Sequence, residues 1–289
     1  MKKINISTIH FQRPEQPSQE AVLKQFQEAA LKLAGTGVDL VVTCEGMESV
    51  GQTIDQAESF DKPGMMLNTY RDFAVENKCH IAGSVKLAEG DKIYNALAFI
   101  GSAGEFIGAY KKNHLTEGEL AKGLSCGSDA EVFDTEVGRL GGVICFDLNY
   151  DSLKQQYRRL KPDVLCFSSM FHGGLMQQSW AYDCRTVFAA ACKDISSDII
   201  DPFGRNISSS SFHTRITWAR VNLDRFFMHG DNNSQHFPEI RRKYGNKVLI
   251  DAVSHLGTAI LYSEDESISA KQIADEFGLV ALDNYLDQF

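Results

Sequence analysis

Through the first 200 residues, short apolar runs alternate with stretches whose apolar residues recur at helical spacing. A brief run rich in β-branched residues reads as a buried strand, whereas recurrence at i, i+3, i+4 and i+7 reads as a helix packed on one face. Val22, Phe26, Ala29 and Leu33 give such a face to residues 19–33, and Gly35 stops it. Further helices are expected at 65–76 and 152–160. Strands are expected at 4–11, 38–43, 80–85, 94–100, 105–110, 140–145, 164–168, 186–192, 205–209 and 215–221, with a turn at Asp201-Pro202-Phe203-Gly204. Residues 235–244 and 269–287 read as C-terminal helices. The pattern is mixed α/β, with sheets flanked by helices. The 289 residues, 43% hydrophobic, suffice for one large core. The 6 prolines are scattered and no Gly/Ser-rich stretch divides the chain, so one domain over 1–289 is expected.

Three of these strands end on residues that carry chemistry. The run Gly141-Gly142-Val143-Ile144 ends on Cys145, followed at once by the polar segment Asp147-Leu148-Asn149-Tyr150-Asp151. Val38 to Val42 delivers Glu45 beside Gly46. The strand ending near Tyr110 delivers Lys111-Lys112-Asn113-His114-Leu115. A single cysteine in such a place is usually inert packing, but a carboxylate, an ammonium and a thiol at strand ends, in that chain order, form a pattern.

Glu45, Lys112 and Cys145 resemble the catalytic triad of the nitrilase superfamily, the carbon-nitrogen hydrolases. The segment Tyr110-Lys111-Lys112-Asn113-His114-Leu115 is similar to the lysine motif of that family, and Phe146 and Asp147 stand where it places an aromatic residue and an acid after its nucleophile. The resemblance runs from about residue 3 to about residue 225. It implies a four-layer α-β-β-α sandwich and assembly into a homodimer or higher homo-oligomer through helical faces. Residues 226 to 289 then form a helical extension.

The resemblance also implies roles. Glu45 acts as general base towards Cys145, since the thiolate is the competent nucleophile and an ordinary thiol is mostly protonated at pH 7. Lys112 lowers the thiol's pKa and stabilises the oxyanion, with the N–H of Phe146 as a second donor. Such a site forms a thioester and releases ammonia or an amine without metal or organic cofactor. A second carboxylate belongs shortly after the lysine, where Glu117 and Glu119 are both available; the spacing from Lys112 favours Glu119. Asn149, Phe171 and His172 are placed as pocket residues. His114 reads as a residue that holds its loop by hydrogen bonding, Trp180 as a core or pocket-wall aromatic, and Cys44 and Cys166 as packed strand residues.

Branches of the family differ near the nucleophile. N-carbamoyl amino acid hydrolases carry basic residues where this chain has Leu148 and Asn149, and nitrilases usually read Cys-Trp-Glu where it reads Cys-Phe-Asp. An amidase acting on a small or medium amide is expected. A nitrile hydrolase, an acyl transferase, or a binding scaffold that has lost turnover are the alternatives. The family's Arg-Ala-x-Glu-Asn-like sequence after Trp180 is not matched by Ala181-Tyr182-Asp183-Cys184-Arg185-Thr186-Val187.

The net charge of −9 argues against nucleic acid as a partner, because phosphate binding needs a basic footprint. No apolar stretch approaches the roughly 20 residues that span a bilayer, and residues 1–5 enter a strand without a signal-like apolar segment. The 7 cysteines lack paired or metal-like spacing, which points to reduced thiols and a cytoplasmic setting.

Overall fold

Ser18 starts the first helix, α1 (Gln19–Leu33), by accepting the Ala21 N–H on its side chain, so an otherwise orphaned donor is satisfied where the apolar stripe begins. That stripe of Val22, Phe26, Ala29 and Leu33 is buried. The computed structural model describes residues 2–194, 196–211 and 213–288. The chain divides into two units, residues 5–219 and residues 1–4 with 220–289.

The larger unit is built on two sheets. The strands β1 (Lys3–Ile9), β2 (Leu40–Thr43), β3 (His80–Glu89), β4 (Lys92–Ile100) and β5 (Phe106–Lys111) belong to the first. Next come β6 (Val132–Thr135), β7 (Gly138–Ile144), β8 (Val164–Ser169), β9 (Val187–Cys192), β10 (Asp198–Ile200) and β11 (Asn206–Ser209), which form the second, before β12 (Ile216–Asn222) returns to the first. The orders are β12-β1-β2-β3-β4-β5 and β11-β10-β9-β8-β7-β6. At the heart of each sheet lies a parallel trio, β1-β2-β3 and β7-β8-β9. Of these strands β2, β8 and β9 are buried along their whole length, as strands covered on both faces must be.

Four layers follow from particular contacts. Helices α1 and α2 (Met65–Asn77) meet through Phe26, edge-on to Tyr70 and Phe73 at 5.5 and 5.4 Å. The Tyr70 ring lies so close to Gly83 of β3 that a Cβ there would be 2.5 Å from it. On the opposite side, Tyr157 of α4 (residues 151–160) donates its hydroxyl to Gly142 O of β7 and leans on Trp180 of α5 (residues 175–183) at 6.3 Å. Between the sheets, the Ser168 hydroxyl donates to Thr43 O at 2.8 Å, and Phe99 meets Phe133 at 4.8 Å. The layers therefore run helix, sheet, sheet, helix, as expected. A short helix, α3 (Glu117–Ala121), comes between β5 and β6.

The C-terminal unit corrects one expectation. Residues 226–289 are not a purely helical extension: β13 (Arg225–His229), β14 (Val248–Val253) and β15 (Thr258–Ser263) form an antiparallel sheet in the order β13-β15-β14. Helices at Phe237–Tyr244 and Ala270–Glu276 cover it, with Met228, Ile240, Leu261 and Ile273 in the core. The single helix expected over 269–287 is broken because Gly278 turns with φ +62°, and a separate short helix follows at Leu282–Leu286.

Gly142 tests the inter-sheet packing. A methyl group on it would lie 2.5 Å from the Cβ of Tyr110, an atom fixed to the backbone of the facing sheet. Gly142→Ala is expected to lower stability by about 1–3 kcal/mol through overpacking, read as a lower urea midpoint at unchanged slope.

Candidate active site

The ends of β2 and β8 meet at one edge of the sandwich, where Ser168 bonds to Thr43. Strand β5 runs in the direction of β2, two antiparallel steps away, so its C-terminal end reaches the same edge. Chemistry gathers where strands end because loops there are free to turn inward.

Lys112 is the centre of the cluster. Only 1% exposed, its ammonium donates to Glu45 Oε1 at 3.0 Å and to Glu119 Oε1 and Oε2 at 3.0 and 2.9 Å. The second oxygen of Glu45 accepts the Met170 N–H at 3.1 Å. Glu119 is fixed in turn by a capping box with Thr116, whose N–H and hydroxyl both reach Oε2 at 2.9 Å. Between the two carboxylates stands Asn95 of β4, buried, its side-chain amide donating to Glu45 Oε1 at 2.8 Å and Glu119 Oε1 at 2.7 Å.

Cys145 opens a 3₁₀ turn, Cys145–Asn149, directly after β7, in the left-handed region at φ 49°. A side chain in that conformation costs on the order of 1 kcal/mol or more and must be held by its surroundings. Asp147 does the holding. One of its oxygens accepts the His114 N–H at 2.8 Å and lies 2.9 Å from His114 Nδ1; the other accepts the Tyr110 hydroxyl at 2.8 Å and the Ile144 N–H at 3.3 Å. One buried carboxylate thus ties the cysteine turn to the lysine loop. His114 takes the loop-holding part expected of it, stacked on Tyr150 at 3.5 Å. Trp180 is core, and its indole N–H supports the same turn through Leu148 O at 3.0 Å.

Glu45, Lys112, Glu119 and Cys145 line one cavity of about 430 Å³, within the range typical of small-molecule sites. Glu117, the other glutamate considered, is exposed and does not line it. Phe146, Asn149, Phe171 and His172 do not line the cavity. Phe146 is 37% exposed, and Asn149 turns back to donate to Phe146 O at 3.0 Å. Phe171 packs edge-on against Phe167 at 6.3 Å, and His172 pairs with Asp198 at 2.6 Å. Their side chains serve the loops instead, because each finds a partner there. The expected pocket positions are filled by residues sequence reasoning passed over: Asn95, Glu48, Lys86 and Met170. Asn95 had a signal, a lone amide inside the apolar run Tyr94 to Ile100. Among the described residues no group of three or more His, Cys, Asp or Glu side chains is placed to hold a metal ion.

A sequence profile of the carbon-nitrogen hydrolases matches residues 10–225, about three-quarters of the chain and nearly all of the sandwich just described. The chain belongs to the carbon-nitrogen hydrolase family. It is 26% identical over 167 residues to the chloroplastic omega-amidase of Arabidopsis thaliana, covering 49% of this chain and 45% of that one. With the deaminated glutathione amidase of Dictyostelium discoideum it shares 29% identity over 182 residues, 52% of this chain and 62% of the relative. The match thus spans less than two-thirds of either relative. In fold it is similar to Saccharomyces cerevisiae Nit3, a member of branch 10 of the nitrilase superfamily, with a TM-score of 0.66 and 20% identity over 84% of this chain and 95% of that one.

The electrostatics of this carbon-nitrogen hydrolase differ from expectation at one atom. Burial pushes the Cys145 thiol up to about 12, and the neighbouring Glu45 charge adds to that; Lys112 and the Met170 N–H act in the lowering direction and are outweighed. Lys112 does not deliver a preformed thiolate, because its own charge is already engaged by two carboxylates. Burial opposes the ammonium of Lys112, yet Glu45, Cys145 and Glu119 hold its pKa above the ordinary lysine value. For Glu119 burial is likewise overcome, by Thr116, Asn95 and Lys112, leaving its pKa below the usual range.

A second ion pair stands in the cavity wall. Burial alone would raise the carboxyl of Glu48, but Lys86 at 2.6 Å, Ser84 and Ser49 bring it down to about 2 from 4.5. A carboxyl depressed in the folded state stabilises it fully above its unfolded pKa and loses that contribution as pH falls through the folded value. Here the window is 4.5 down to about 2, worth on the order of 3 kcal/mol. Glu48→Gln is expected to remove that part of the acid destabilisation, checked by urea unfolding at successive pH values.

Proposed function

We propose that this protein is a thiol hydrolase that cleaves the C–N bond of a small or medium carboxamide through a thioester on Cys145. The observation that carries the reading is the convergence of Glu45, Lys112 and Cys145 on one cavity: the Glu45 carboxylate accepts from the Lys112 ammonium at 3.0 Å, and its charge acts on the Cys145 thiol. Base, nucleophile and oxyanion cation are thereby within reach of a single carbonyl group.

In the first step Cys145 Sγ attacks the amide carbon while Glu45 takes the thiol proton. The carbonyl oxygen, now an anion, is received by Lys112 and the backbone N–H of Phe146. The intermediate collapses with transfer of the Glu45 proton to the leaving nitrogen, so ammonia or an amine departs and the thioester remains. Water then attacks the thioester carbon, Glu45 again taking a proton. The thiolate leaves, is reprotonated by Glu45, and frees the carboxylic acid. Glu119 holds Lys112 in place through both steps, and Asn95 keeps the two carboxylates apart. A binding scaffold without turnover would be marked by a lost site group, and all four are in place. The reading extends to a homodimer or higher homo-oligomer joined through the outer helical face, where Leu175 is 81% exposed, and to a cytoplasmic setting that keeps the seven unpaired cysteines reduced.

The test is ammonia release from primary amides, nitriles and N-carbamoyl amino acids, with wild type beside Cys145→Ala. Amide turnover is expected to fall by at least about a thousandfold in the variant, with its thermal midpoint retained. Equal release from both proteins would sink the reading. Asn95→Asp places a third carboxylate against Glu45 and Glu119; like charges raise each other's pKa. The acidic limb of the pH–rate profile is therefore expected to move up by about one unit or more, and an unmoved limb would remove Asn95 from its positioning role.

A further inference from the structure

The loop between β8 and α5 touches both the carboxylate read as the base and the turn that carries the thiol. Its Met170 N–H donates to Glu45 Oε2 at 3.1 Å. Burial opposes the Cys145 thiolate, and the same N–H is among the groups that act in its favour. Three residues on, Gly173 lies so close to the Cys145–Asn149 turn that a Cβ on it would be 2.4 Å from Cδ2 of Leu148. A backbone donor serves two partners only while its peptide plane is held, because a hydrogen bond weakens steeply as its angle bends. The Met170 side chain does not hold it, being 50% exposed.

His172 is the residue that ties this loop to the second sheet. Its Nδ1 accepts the Gly174 N–H at 3.1 Å, and a neutral imidazole has one acceptor and one donor nitrogen, so the ring proton sits on Nε2. Nε2 then donates to Asp198 Oδ2 at 2.6 Å. The His172 carbonyl is held as well, by the Gln177 side-chain amide of α5. Asp198 is a firm anchor: it lies on β10, 2% exposed, and its other oxygen accepts the Ser209 hydroxyl of β11. Burial opposes its charge, yet the bonds from His172 and Ser209 keep its pKa below the usual carboxylate range. Nearer Met170 the bonds are local, with Ser169 Oγ donating to Phe171 O at 2.6 Å and accepting the Phe171 N–H at 3.0 Å. They shape the loop, and His172 fixes where that shape points.

We propose that His172 is a positioning residue for the hydrolysis: by joining the loop to buried Asp198 it keeps the Met170 N–H aimed at Glu45 and Cys145. The proposal rests on the reading of Glu45 as base and Cys145 as nucleophile. It adds a residue that lines no part of the cavity and on which their alignment depends.

The test follows alkylation of Cys145 by iodoacetamide, read by peptide mass spectrometry, beside kcat and KM for the primary amide that wild type turns over fastest. The exposed Cys126 is read in the same samples as an internal reference. His172→Ala is expected to slow alkylation at Cys145 and to lower kcat by about tenfold each, the loss of roughly one hydrogen bond's contribution. Alkylation of Cys126 is expected to be unchanged, and KM to stay within about twofold, since the ring touches no substrate. His172→Gln keeps a donor for Asp198 but no acceptor for Gly174, so a smaller loss of about threefold in both rates is expected; it decides the matter alone if the alanine variant does not fold. Wild-type rates at Cys145 in the folded variants, a fall shared equally by Cys126, or a change confined to KM would overturn the proposal. Alkylation needs no amide: a wild type that hydrolyses none counts against the amidase reading, while the comparison at Cys145 still decides this one.

Discussion

The ammonium of Lys112 is buried, and a buried charge persists only where opposite charge and hydrogen bonds replace the water it has lost. Glu45 and Glu119 supply the charge, and three contacts of 2.9 to 3.0 Å saturate its donors. Much of the surrounding structure serves that arrangement. The Thr116 capping box aims Glu119, Asn95 spans the two carboxylates, and Met170 N–H fixes the outer oxygen of Glu45. Removing either carboxylate leaves a poorly compensated cation, so the cluster is cooperative.

Asp147 couples this cluster to the Cys145 turn. Its buried carboxylate is raised in pKa by desolvation, against the hydrogen bonds from Tyr110 and His114 that lower it. Those bonds come from the segment that leads into and out of Lys112, so the left-handed Cys145 is held by the loop that also carries the ammonium. Asp147 is thus structural in action, although it stands two residues from Cys145.

Much of this was legible in the chain. The helix at Gln19–Leu33 and the strands that deliver Glu45, Lys112 and Cys145 follow from apolar periodicity, which is strong where an element is buried on one face or both. That Glu45, Lys112, Glu119 and Cys145 belong together was legible only as a resemblance, since no spacing along the chain reveals that strand ends in two sheets converge. Strands of the C-terminal unit escaped because runs such as Val248-Leu249-Ile250 are short and half-exposed. Phe171 and His172 were placed correctly along the chain, after β8, but side-chain direction depends on local partners: Asp198 claims His172. Lys86 and Asn95 became neighbours through a hairpin register, a relation the sequence does not display.

Burial and the Glu45 charge hold the Cys145 thiol protonated at pH 7, so the proposed chemistry does not draw on a resting thiolate. It does not need one. When Glu45 takes the proton as sulfur bonds to carbon, the cluster's net charge is unchanged: the negative charge leaves the Glu45 carboxylate and appears on the substrate oxygen. In the proposed intermediate the Lys112 donor that Glu45 held at the start turns to the oxyanion. A buried site pays heavily for any change in net charge, and here the charge only moves across one fixed cation, with donors already oriented before the reaction begins. Glu119 completes the logic. By holding Lys112 from the opposite side it keeps the ammonium charged and stationary while its other partner is neutralised, which is the condition for Glu45 to give the proton back to the leaving nitrogen.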